Sequence, residues 1–175
     1  MKPFLFFAFF LLPFSLIRVE AGEPSPFTIE IVPSGGGKTI QIENENAAEF
    51  YVVLTNISKK SQNVWEYWNS WGYYNLSFKF TLKDGKSFKI VRRPHSFRRN
   101  FPSVYLIPPG EHQVYAIRLD KEWEITPEFS LKGETPVTFK VIYDTYEIPV
   151  EPEMLKYNIW MGRLESKEYQ LDLYP

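Results

Sequence analysis

The 175-residue chain contains no cysteine. It therefore has no disulfide framework, no thiolate metal ligand and no cysteine to carry an N-terminal lipid anchor. In an exported chain that absence points to a bacterial source, because small eukaryotic secreted domains are commonly disulfide-dense. Histidine is nearly as scarce. His95 and His112 stand alone and form no HExxH spacing, and the arginines around His95 disfavour holding a cation. No GxSxG stretch supplies a hydrolase nucleophile elbow. Beyond the first residues no run is long and apolar enough to span a membrane. No internal repeat and no sustained helical period are visible, which removes helical bundles and solenoids.

Glycine is concentrated in one place. Pro33, Ser34, Gly35, Gly36, Gly37, Lys38 and Thr39 end like a phosphate-binding loop. The first glycine of that motif would fall on Val32, and a short β pattern follows where a helix N-terminus is needed. We read a flexible loop, with no nucleotide and no other cofactor. Loose carboxylates remain. Glu122, Glu124 and Glu128 cluster near Trp123, as a glycosidase pair would, although charged residues there are more simply a solvated loop. We expect no catalytic residues and no enzyme.

What is present begins with the leader. Lys2 precedes an apolar run over residues 4–17, followed by Arg18, Val19, Glu20 and Ala21. A short basic start, an apolar core and a small-x-small cut indicate a secretory signal peptide over 1–21. The run is shorter than the ~20 residues of a membrane span. One domain over 22–175 is long enough to bury a substantial core, and its expected location is secreted or periplasmic. Asn56-Ile57-Ser58 and Asn75-Leu76-Ser77 match the N-glycosylation pattern, which a bacterial source makes incidental.

The remainder reads as strands. Leu76, Phe78, Phe80 and Leu82 alternate with Ser77, Lys79, Thr81 and Lys83, the period of a half-buried strand. Asp84-Gly85 is a turn signal. A two-residue loop would set Phe80 against Lys89. A three-residue loop (Lys83, Asp84, Gly85) pairs Phe80 with Phe88 and Phe78 with Ile90, so the buried face predicts the longer loop with Gly85 left-handed. Further strands are expected at 27–31, 40–42, 50–54 (central), 104–107, 115–119 and 137–143, with a final pair at 157–163 and 169–173. Residues 59–63 read as a polar turn. Pro108-Pro109-Gly110-Glu111 suits a type II turn. Residues 120–132 read as a loop with one short helical turn.

The succession of strand, Asp84-Gly85-Lys86 turn, strand, Pro108-Pro109-Gly110-Glu111 turn and strand resembles immunoglobulin-like or fibronectin-III-like domains of bacterial secreted proteins. The ending Trp160-Met161-Gly162-Arg163-Leu164-Glu165-Ser166 before a last strand is also similar to them. The resemblance covers most of residues 27–173 and lacks the antibody Cys…Trp…Cys pattern. It implies a single antiparallel β-sandwich of immunoglobulin type, used for binding or adhesion rather than catalysis.

Two stretches carry candidate function. Trp65, Tyr67, Trp68, Trp71, Tyr73 and Tyr74 crowd together with Asn69, Ser70 and Gly72 between them. One strand face cannot bury them all, so part belongs to the core and part to a surface, where rings with polar neighbours suit sugars or protein hot spots. Lys86, Lys89, Arg92, Arg93, Arg98 and Arg99 then occur without an intervening acid, together with His95, Phe97 and Phe101. That local dipole on a chain of formal charge −1 attracts an anionic partner, or is a solvated loop paired to Glu43, Glu45 or Glu49. We expect an exported binding module for a carbohydrate or cell-envelope component. Its ligand residues are Trp68, Trp71, Tyr73, Arg92, Arg93, Arg98 and Arg99, and no metal or nucleic acid is involved. The other reading is a protein-interaction domain, such as a secreted protease inhibitor or assembly subunit, using the Arg92-Arg93-Pro94 loop or an edge strand.

Overall fold

The computed structural model describes residues 24–33, 39–42, 49–126, 133–146 and 152–174. The expected signal peptide over 1–21, the glycine loop at 34–37, and Glu43, Glu45 and Glu128 lie outside the described residues. Period-two alternation becomes strand over most of its expected length, although the stretch expected at 115–119 instead runs from His112 to Ile117. One sheet holds β1 (Phe27–Val32), β3 (Phe50–Asn56) and β8 (His112–Ile117), with β3 central as expected. Its inward positions are Phe27, Ile29, Ile31, Phe50, Val52, Leu54, Tyr115 and Ile117, all buried.

The larger sheet runs β2 (Thr39–Gln41), β12 (Tyr169–Tyr174), β10 (Thr135–Asp144), β5 (Leu76–Leu82), β6 (Ser87–Arg92) and β9 (Trp123–Thr126) in spatial order. The short β11 (Arg163–Glu165) also pairs with β10. Phe50 of the first sheet meets Phe78 and Phe139 of the second at ring distances of 5.4 and 6.1 Å. Each fully buried ring or branched aliphatic contributes about 1.5–3 kcal/mol, so this shared apolar face holds the two sheets together. The fold is all-β among the described residues, with one 3₁₀ turn at Pro152–Tyr157.

The β5–β6 hairpin has the expected register. Phe78 lies opposite Ile90 and Phe80 opposite Phe88. Gly85 has φ +84° and its N–H donates to the Leu82 carbonyl, closing the three-residue loop. Gly110 is likewise left-handed at +78°, and the Glu111 N–H donates to the Pro108 carbonyl at 3.1 Å.

A two-stranded ribbon, β4 (Gln62–Trp65) against β7 (Val104–Ile107), leads off the first sheet. Gln62 and Asn63 thus belong to a strand, not to the expected polar turn. Asn56 makes the corner tight enough for this. Its Nδ2 donates to the carbonyls of Lys60 and Ile107, both at 2.8 Å, and its Oδ1 accepts from the Ser58 N–H and hydroxyl. Three further expectations are corrected. Residues 123–126 form β9 on the edge of β6, because Trp123 and Ile125 turn inward while Glu124 turns out. Residues 157–162 form no strand; β11 begins only at Arg163, and β11 and β12 lie in succession along one edge of β10. Ser166 interrupts them, with its N–H on the Val141 carbonyl and its hydroxyl accepting from the Val141 N–H. Finally, β2 joins β12 in parallel, so the sheet is not wholly antiparallel.

Candidate functional site

Between β4 and β5 the chain folds into a loop at 66–75, and Asn69 is its internal fastener. The buried Asn69 Oδ1 accepts from the N–H groups of Trp71 and Gly72 at 3.1 and 3.0 Å, and its Nδ2 donates to the Ser103 carbonyl at 3.0 Å. Gly72 is required by closeness, since a Cβ there would lie 2.2 Å from the Glu66 carbonyl oxygen. The Ser103 hydroxyl donates to Glu66 Oε2 at 2.6 Å, tying the loop to the segment that enters β7.

The crowded rings divide as expected between core and surface. Trp65 is buried, with Trp71 at 5.8 Å and Tyr157 at 5.5 Å. Trp71 and Tyr73 are half-buried. Trp68, 36% exposed, sits edge-on against Phe101, 55% exposed, with ring centres 4.9 Å apart. Tyr73 carries His95 and Phe97 on its ring, each at 5.4 Å. Burial holds the Tyr73 hydroxyl above its ordinary value, with Arg92 opposing, so the group stays protonated.

The aromatic and basic loops therefore meet. Asn100 Nδ2 donates to the Ser70 hydroxyl at 2.8 Å, its Oδ1 accepts from the Ser70 N–H, and the His95 N–H donates to the Tyr74 hydroxyl. The arginines separate into two kinds. Arg92 lies over Trp123 at 4.2 Å and Tyr73 at 5.0 Å, ion-paired with Glu122, its side chain only 13% exposed. Arg93 donates from Nε to the Trp123 carbonyl at 3.0 Å. Both anchor β9; Arg92 offers little free charge, whereas Arg93 is exposed and its charge is not paired by that carbonyl. Arg98 and Arg99 are exposed and have no partner among the described residues. Glu49 takes the Tyr51 hydroxyl rather than an arginine.

Beneath the loops is a cavity of about 20 Å³ among Tyr73, Arg92, Tyr115 and Trp123, roughly the space of one water molecule. Tyr115 Oη and Trp123 Nε1 are buried there without a hydrogen-bond partner among the described residues. Among the described residues no group of three or more His, Cys, Asp or Glu side chains is placed to hold a metal ion. No described helix is long and apolar enough to cross a membrane.

Phe101 and Asn100 are the site residues that sequence reasoning did not assign. Their only signal was nearness to the basic run, and their partners lie about thirty positions earlier in the chain. No family model, no curated protein and no solved structure matches this chain.

Proposed function

We propose that the chain is an exported, non-enzymatic binding module of immunoglobulin-like type, recognising a carbohydrate or cell-envelope component at the joined 66–75 and 93–103 loops. The fold reading is supported by strand order. With β1, β3 and β8 taken as A, B and E, and β12, β10, β5 and β6 as G, F, C and C′, the sheets read A-B-E and G-F-C-C′. β9 and the parallel β2 lie outside that scheme. Loops at the end of a sandwich are the usual recognition surface of such folds.

The observation that carries the functional reading is the Trp68–Phe101 edge beside the unpartnered Arg98 and Arg99. Exposed rings stack on the apolar faces of sugars, and free guanidinium groups pair with carboxylate or phosphate. The test is a glycan array with isolated cell-envelope fractions, comparing the parent with Trp68→Ala/Phe101→Ala and Arg98→Ala/Arg99→Ala. The expected outcome is binding by the parent and at least tenfold loss in each variant, with stability little changed because both pairs are peripheral. Parent binding that ignores both changes would sink the assignment.

The protein-interaction reading has one observation of its own. β8 is an edge strand, and Leu106 and Val114 on the adjoining edges are 63% and 43% exposed. Edge strands accept a partner's strand. Binding of a protein that survives both loop changes and vanishes with Leu106→Lys/Val114→Lys would move the site to that edge.

A further inference from the structure

The outer face of the larger sheet holds a charge pattern that the fold does not need. On β5 the residues opposite the core are Ser77, Lys79 and Thr81. Register places Lys79 directly across from Lys89 on β6 and from Lys140 on β10, giving a row of three lysines on neighbouring strands. Neighbouring strands lie about 4.8 Å apart, so the row is a ladder of like charges at close spacing. Like charges directly opposite one another destabilise a sheet. Lys140 is neutralised by Glu165. Lys79 and Lys89 have no ion-pair partner among the described residues.

The surroundings of the row are hydroxyl and amide groups. Thr81 lies across from Ser87 and Thr138, Thr138 across from Gln170, and Lys89 across from Thr126. Next to the row, a groove of about 360 Å³ passes over Thr81, Thr138 and Gln170, with Lys83 and Asp172 also in its lining. Of the acids, Glu124 stands opposite Val91 at one margin, Asp172 lies in the lining of the groove beside Lys83, and Glu165 is taken up by Lys140. No aromatic ring occupies the lysine row or the threonine row beside it, so nothing there stacks a nucleobase. Neither row presents an apolar side chain for insertion into lipid.

We infer that this face is a second binding site, distinct from the loop site, and that its ligand is an acidic polysaccharide. Its anionic groups lie along Lys89 and Lys79, and its hydroxyls bond to Thr81, Thr138 and Gln170. A polyanion on this face relieves the like-charge repulsion of the row when it binds.

The probe is polygalacturonate, titrated into the mature protein at low and at physiological salt. The parent binds with an affinity that falls as salt rises. Lys79→Thr/Lys89→Thr binds about tenfold more weakly, the effect of two exposed charge contacts. The same variant resists denaturant better than the parent at low salt, which a merely structural role for the lysines would not produce. Lys79→Thr/Lys89→Thr keeps the glycan-array binding assigned to the loops, so failure of the loop site and failure of the lysine row read out separately. The inference is overturned by any of three results. The parent fails to bind polygalacturonate, the lysine variant binds as tightly as the parent, or duplex DNA or anionic vesicles bind as well as the polysaccharide.

Discussion

Tyr143 lies wholly inside the molecule on β10, and burial pushes its hydroxyl up to about 12 from an ordinary 10.0. Tyr115 nearby is raised well above its ordinary value for the same reason. A group whose proton is held more tightly in the folded state stabilises that state fully below its unfolded pKa. The contribution declines as pH rises from 10.0 towards about 12. Stability is thus expected to fall above pH 10 by about 1.4 kcal/mol per pH unit for each such tyrosine. Urea midpoints across the alkaline range check this, and Tyr143→Phe should flatten part of the slope. A parent whose stability is flat through that range would show that the hydroxyls are not sealed from water. The buried asparagines, unlike the Tyr115 hydroxyl, are satisfied by hydrogen bonds. Both glycosylation-like sequences have their asparagine buried, Asn56 bonded as described above and Asn75 with its side-chain amide between the carbonyls of Trp71 and Asp144 and the Tyr143 hydroxyl; the amide orientation that satisfies both of its ends donates to the two carbonyls. Neither is open to modification in the folded chain.

Two glycines separate backbone conformation from backbone crowding at the level of elements. Gly85 has φ +84° with nothing within 4 Å of a built Cβ. Gly85→Ala should cost about 1 kcal/mol, the strain of a left-handed alanine alone. At Gly72 a Cβ would strike the Glu66 carbonyl at 2.2 Å, so Gly72→Ala should cost more and loosen the aromatic loop. Denaturation midpoints, with the near-ultraviolet circular dichroism of the ring cluster, distinguish the two; equal costs would contradict the packing described here. The hairpin holding Gly85 was legible in the sequence to the residue, because Phe78 and Phe80 had to meet apolar partners and only one loop length allowed it. β9 was not, although Trp123 and Ile125 alternate with Glu122 and Glu124. Four residues are too few for a period to stand out, and their pairing with β6 repays them only after the chain has crossed the molecule. The final pair expected at 157–163 and 169–173 does not form, because β11 begins only at Arg163 and it and β12 both pair with β10, which lies earlier in sequence.

Across the whole molecule the five tryptophans report on different depths. Trp65 and Trp123 are buried, Trp71 and Trp160 half-buried, and Trp68 is the most exposed. Acrylamide should quench a red-shifted component that Trp68→Phe removes while the protein stays folded. Trp65→Phe should leave that component in place and lower stability by about 1–3 kcal/mol. The opposite pattern would invert the division of the aromatic stretch into core and surface. That division could be anticipated but not assigned from sequence, and the reason is general. Alternation along a strand determines which face each residue occupies, and that much is local. It was enough for the all-β class, the inward-facing residues of β5, and the β5–β6 register. Which strand lies beside which is decided by long-range burial. Only that step brought Trp68 to Phe101, closed Arg92 onto Tyr73 and Glu122 while leaving Arg98 and Arg99 open, and aligned Lys89, Lys79 and Lys140 in one row.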